Sequence, residues 1–184
     1  IPPLRSKDLP YLDVLSEAVN NPLRMLIGWY LTGTLAVPSA SLLISYWMIG
    51  CYFMAIKRFA EYREAGDQSW IAQYRKSFQF YSERRLLVSI MFYGSHAMLF
   101  LGAFIMRYRL EWIIAFPLVA LVMAIYLSMA FKQDSAAQRP EGLYREPALM
   151  AAVVVCAAAM LVLLFVDVKF VHQIFVPTLP TAGG

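Results

Sequence analysis

Met54-Ala55-Ile56-Lys57-Arg58-Phe59-Ala60-Glu61-Tyr62-Arg63-Glu64-Ala65-Gly66-Asp67 closes an uncharged, largely apolar run that begins at Ser39. Ser39 to Ile56 is about the ~20 residues a helix needs to cross a bilayer, so the stretch lies where a membrane helix meets water. Continued as a helix, it places Lys57, Glu61 and Glu64 on one face and Arg58 and Tyr62 on the next. Basic groups can hold phosphate, and carboxylates can hold the divalent ion that travels with it. With apolar helices around it, such a stretch suits a lipid-linked phosphate or pyrophosphate. The plainer alternative is a positive flank whose charges pair with one another.

Composition places the rest of the chain in the same environment. Of 184 residues, 60% are hydrophobic and 15% charged, against about 25% charged in soluble domains; mean hydropathy is +0.58. The expected architecture is all-α: one polytopic membrane helix bundle of about five transmembrane helices over residues 1–184, with its N-terminus cytoplasmic. The expected spans are 12–37, 39–56, 86–106, 112–131 and 147–166. Asp13, Glu17, Asn20, Asn21 and Arg24 interrupt the first, and Pro22 is expected to kink it. Arg24 must snorkel, pair with a carboxylate or face a polar cavity, because a charge at the bilayer centre costs roughly 2.5–3.5 kcal/mol on insertion scales. Pro147 is expected at the first helical position of the last span. The tail from Asp167 to Gly184, rich in Pro, Thr and Gly at its end, is expected to be poorly ordered.

Residues 57–85 read as a cytoplasmic loop in which Trp70, Tyr74, Phe78, Phe80 and Tyr81 recur among basic residues. That pattern suits a helix in the headgroup layer or a lid over a cavity mouth. Alternating the five spans puts Arg5, Lys7, all the basic residues of 57–85, Lys132, Arg139 and Arg145 on one side. Arg107, Arg109 and Lys169 fall on the other. The asymmetry makes the first side cytoplasmic. The net charge of +4 therefore reflects topology, and no nucleic-acid partner is expected. Cys51 and Cys156 sit in apolar segments as small packing residues, and His96 and His172 are too isolated in sequence to imply zinc.

Several landmarks resemble the UbiA superfamily of intramembrane prenyltransferases, closest to its decaprenyl-phosphate phosphoribosyltransferase branch. Leu9-Pro10-Tyr11-Leu12-Asp13-Val14-Leu15 is similar to the entry of the fifth family helix, and Leu23-Arg24 through Gly28 to its Arg-x3-Gly step. Ala55-Ile56-Lys57-Arg58-Phe59-Ala60-Glu61 resembles the element that ends the sixth. Tyr81-Ser82, and Pro140 to Pro147 before the last helix, fit the same branch. The similarity spans roughly residues 9 to 166. It implies a helical bundle with a cavity open to the cytoplasm and to lipid, Mg²⁺ bridging phosphate to acidic motifs, and polyprenyl phosphate as acceptor of a phosphoribosyl group. Carried over by position, Lys57 and Arg58 would contact phosphate, Arg24 would face the polar end of the cavity, and Glu61 would help bind metal or orient Arg58.

One departure is large. The family has nine helices, with its first acidic motif on the second, and no Asp-x3-Asp occurs in this chain. The residues correspond to helices five to nine, so the sequence is expected to be the C-terminal portion of a transferase, catalytically incomplete as it stands and located in a bacterial inner membrane. The alternative is a non-catalytic integral-membrane subunit that packs helices, lipid or pigment beside other membrane subunits. A transporter fits less well, because only Arg24 reads as an intramembrane charge.

Overall fold

A computed structural model describes residues 9–64, 76–132 and 140–175. Arg5, Lys7, the Trp70–Arg75 part of the expected headgroup-layer segment, Arg139 and residues 176–184 lie outside them. The described residues form helices joined by short connections, with no strand among them. Its α-helices are α1 (Leu12–Ala18), α2 (Asn20–Leu31), α3 (Ala40–Glu64), α4 (Glu83–Tyr108), α5 (Phe116–Met129), α6 (Pro147–Phe165) and α7 (Lys169–Ile174). Short 3₁₀ turns cover Lys76–Gln79, Leu110–Ala115 and Pro140–Arg145. Four segments are long and apolar enough to cross a membrane: Ala40–Glu64, Glu83–Tyr108, Leu110–Met129 and Pro147–Phe165. The chain is an integral membrane protein.

Antiparallel α3 and α4 form the central pair. Cys51, Tyr52, Ala55, Ile56 and Phe59 bury one stripe of α3, and Leu86, Ile90, Tyr93, Ala97, Leu101 and Ile105 one stripe of α4. The spacings follow the helical repeat, and Leu86, Ile90, Tyr93 and Ala97 join the α3 stripe in one core cluster. Lipid tails are as apolar as these side chains, so close packing and hydrogen bonds must hold the helices together. Ser45 Oγ donates to the Ala97 carbonyl at 3.0 Å, and the Tyr52 hydroxyl donates to the Met123 carbonyl at 2.7 Å, tying α5 to the pair. The Tyr52 ring lies against Gly94, where a Cβ would sit 3.2 Å from it. Only 11% of the apolar window of α6 is buried against the described protein, against 39% for α3, so α6 packs at the periphery of the bundle.

The first expected span differs from expectation. It is divided at Val19 into α1 and α2, each too short to cross alone. Pro22 sits in the first turn of α2, where its missing N–H costs nothing, so the break falls before the proline. The two helices run end to end, antiparallel to α3. Glu17 meets Arg58, the Trp47 indole donates to the Leu15 carbonyl at 3.1 Å, and Asn21 and Ala18 lie over Gly50. A Cβ at Gly50 would collide with the Asn21 amide. Helix α2 stops at Leu31 because Gly33 takes φ +76, the left-handed conformation that terminates helices.

Helix α3 runs on past Ile56 through Lys57, Arg58 and Glu61 to Glu64, so the first residues of the expected 57–85 loop continue the helix, as the reading of that stretch as a continued helix requires. The segment after Asp167 is not wholly unstructured, because α7 docks on the Leu110–Ala115 turn. Pro147 does open α6, and Pro117 lies in the first turn of α5.

Candidate functional site

Where α1 crosses the end of α3, one guanidinium gathers three carboxylates. Arg58 is 2% exposed and Asp13 fully buried. Arg58 Nη2 meets Glu17 Oε2 at 2.8 Å, Nη1 meets Glu61 Oε2 at 2.9 Å, and Nε faces Asp13 Oδ2 at 3.5 Å. Helical spacing explains the convergence: Asp13 and Glu17 are four apart on α1, and Arg58 and Glu61 three apart on α3. A guanidinium, with five donors in a planar fork, can serve three acceptors at once; an ammonium is a compact point charge.

Tyr81 extends the network. Its hydroxyl donates to Asp13 Oδ1 at 2.7 Å and accepts the Tyr11 backbone N–H at 2.8 Å. Burial, then the hydrogen bond to Asp13, push the Tyr81 hydroxyl's pKa up, so it stays a neutral donor across the physiological range. Tyr11 adopts φ 67, a left-handed conformation that costs a non-glycine residue of order 1–3 kcal/mol. The hydrogen bond and the edge-on packing of the two rings, centroids 5.7 Å apart, hold it there.

Of the residues expected to form a site, the structure brings Arg58 and Glu61 into contact. Lys57 is half-buried on the adjacent face of α3, and no ion pair joins it among the described residues. Arg24 is exposed on α2. With Asn21 level with Gly50, Arg24 lies about 16 Å along the bundle from the level of Arg58, at 1.5 Å per residue. Glu61 contacts Arg58, the orienting geometry of its two expected roles. The carboxylates that complete the centre, Asp13 and Glu17, read in the sequence only as interruptions of an apolar span. Their four-residue spacing was the available signal.

The Mg²⁺ that the resemblance implies can be tested against these groups. Asp13, Glu17 and Glu61 all converge on the Arg58 guanidinium, which takes the place a cation would occupy. No group of three or more His, Cys, Asp or Glu side chains among the described residues could hold a metal ion. As arranged, these carboxylates do not fit Mg²⁺.

A second polar cluster lies at the opposite end of the bundle. Arg109 donates to the Leu163 and Val166 carbonyls, each at 3.1 Å, and pairs with Asp167 at 2.9 Å and with buried Glu111 at 3.3 Å. Glu111 also meets His172 Nε2 at 2.8 Å. Trp112 Nε1 donates to the Met160 carbonyl at 3.0 Å. These groups cap the last carbonyls of α6 and hold α7 in place. His96, on α4, instead bonds its own helix through Nδ1 and the Phe92 carbonyl at 2.9 Å. Cys51 and Cys156 are free and buried.

The chain matches no protein-family model, no curated protein and no solved structure.

Proposed function

We propose that this chain is the lipid-phosphate-handling portion of a UbiA-type membrane transferase in a bacterial inner membrane. Its substrate would be a polyprenyl phosphate or pyrophosphate, and phosphoribosyl transfer is the reaction class the resemblance favours. The observation that carries the proposal is the buried Arg58 centre beside Lys57, at the basic end of apolar helices. Charged groups in membrane segments are expensive and mark functional sites by default. The same end holds Lys57, Arg63, Arg84, Arg85, Lys132 and Arg145, while the far end holds Arg107, Arg109 and Lys169. The basic end therefore faces the cytoplasm, where a soluble phosphorylated donor would arrive.

In this scheme Lys57 receives the phosphate, because no ion pair among the described residues engages its ammonium, which suits a point-charge contact. Arg58 is a positioning residue that locks α1 against α3. Glu17 and Glu61, with side chains 24% and 28% exposed, form the polar rim. The test is transfer to polyprenyl phosphate by the full-length protein in membranes. Lys57→Ala is expected to lower turnover at least about a hundredfold, typical of losing a charge-stabilising contact, with thermal unfolding unchanged. Wild-type turnover in that variant refutes the assignment.

A second reading draws support from the same centre. Each Arg58 nitrogen faces a carboxylate of the bundle, as in a purely structural clamp. A non-catalytic subunit would co-purify stoichiometrically with other membrane proteins and tolerate Lys57→Ala without loss of assembly.

A further inference from the structure

A groove of about 790 Å³ runs between α1, α3 and α4, lined by Leu15, Ile44, Met48, Val88, Phe92 and Phe100 among others. Lys57, Arg58, Glu61 and Arg24 do not line it, whereas Tyr11, whose N–H bonds Tyr81, does, so the groove adjoins the charged centre without including its charges. The size is that of a ligand pocket, but the groove is open along one side, where Val88 is 62% and Phe92 54% exposed. Both residues belong to a helix long and apolar enough to cross a membrane, so the open side lies at the depth of the hydrocarbon.

Charge is concentrated at one end of the groove. Arg84 and Arg85 line its mouth together with Ser82. Both arginines stand in the first turn of α4, where the helix dipole disfavours cations. Arg84 is exposed and has no partner among the described residues; Arg85 donates to the Phe80 carbonyl at 2.7 Å and keeps further donors. The nearest acidic neighbour in sequence, Glu83, is 54% exposed and pairs loosely with Arg63 at 3.8 Å. Two guanidinium groups placed against the local dipole, above a greasy channel, complement an anion that carries an apolar chain.

We propose that this groove binds an anionic phospholipid of the cytoplasmic leaflet, its phosphate on Arg84 and Arg85 and one acyl chain along α4. From Arg84 to Phe100 the helix rises about 24 Å at 1.5 Å per residue, more than half of the ~30 Å hydrocarbon core, so the bound chain is long and extended. The open side leaves the second chain in the bilayer. Anionic lipids are abundant in the cytoplasmic leaflet, and basic residues near the surface attract them.

The test is native mass spectrometry of the protein released from nanodiscs of equimolar phosphatidylglycerol and phosphatidylcholine. One phosphatidylglycerol is expected to stay bound. Arg84→Gln with Arg85→Gln is expected to reduce its retention about tenfold or more. Val88→Trp, which fills the groove from an exposed position, is expected to abolish retention without altering helicity or thermal unfolding. Equal retention of phosphatidylcholine, or retention unchanged in both variants, overturns the proposal. Stoichiometric replacement of phosphatidylglycerol by added polyprenyl phosphate overturns the choice of phospholipid. Because Lys57 lies outside the groove, Lys57→Ala should leave retention unchanged, and the outcome is independent of transfer activity.

Discussion

Replacing Arg58 with methionine removes the guanidinium that, among the described residues, meets three carboxylates, while keeping the apolar stem of the side chain. Glu17 and Glu61 are about a quarter exposed and can turn toward water, but Asp13 is fully buried and cannot. It keeps the Tyr81 hydroxyl at 2.7 Å and loses the Arg58 guanidinium at 3.5 Å. Breaking a buried ion pair from one side costs about 3–5 kcal/mol, because the stranded charge stays desolvated. That is between roughly a hundredfold and several thousandfold in the folding equilibrium, at about 1.4 kcal/mol per tenfold. Asp13→Asn removes that stranded charge and still offers Tyr81 an acceptor. In the Asp13→Asn background, Arg58→Met is therefore expected to cost about 2 kcal/mol less than in the wild type, within the range seen for contacting pairs. The assay is reversible unfolding in mixed micelles for the wild type, both single variants and the double variant. A cost below about 1 kcal/mol for Arg58→Met, or strict additivity, would refute the account of the centre.

Three further outcomes are expected. Gly50→Leu drives a side chain into Asn21 and Ala18 and should cost about 1–3 kcal/mol by overpacking; crosslinking between α1 and α3 should fall, and unchanged crosslinking would contradict their close approach. Tyr81→Phe removes the hydrogen bonds to Asp13 Oδ1 and from the Tyr11 N–H and should cost about 1–3 kcal/mol. Because folding raises the Tyr81 pKa, the native state holds its proton above the unfolded value of about 10. The stability that Tyr81 contributes is thus flat below pH 10 and falls above it, a decline that Tyr81→Phe should lessen in unfolding measured from pH 8 to 11. Arg109→Ala uncaps the end of α6, so hydrogen exchange should rise at residues 163–175 and stay unchanged in α3 and α4.

Much of the fold is legible in the sequence because bilayer thickness imposes a length on every span. Pro147 and Pro117 mark helix starts by their fixed φ and missing N–H, and α6 opens at Pro147. The positions that misled are those where a charge was taken as a boundary. Arg58 follows an apolar run at the expected edge of the bilayer, yet it lies buried against the bundle because α1 supplies counter-charges to it. Asp13 and Glu17 are two of those counter-charges, and no local pattern reveals a partner 41 residues away. The tail shows the same limit: α7 is ordered by the His172 contact with Glu111, 61 residues earlier. Arg84 and Arg85 stood in the sequence as two more basic residues of a polar loop. Only the groove beneath them distinguishes them.

The most direct measurement for the proposed function is binding of polyprenyl phosphate and of the matching polyprenol to the protein in nanodiscs, for the wild type, Lys57→Ala and the Arg84→Gln/Arg85→Gln pair. The expected result is selective binding of the phosphate form, weakened about tenfold or more by Lys57→Ala, as for loss of a charge-assisted contact, and unchanged in the arginine pair. Equal binding of the alcohol and the phosphate, or full binding by Lys57→Ala, would contradict a lipid-phosphate site beside the Arg58 centre.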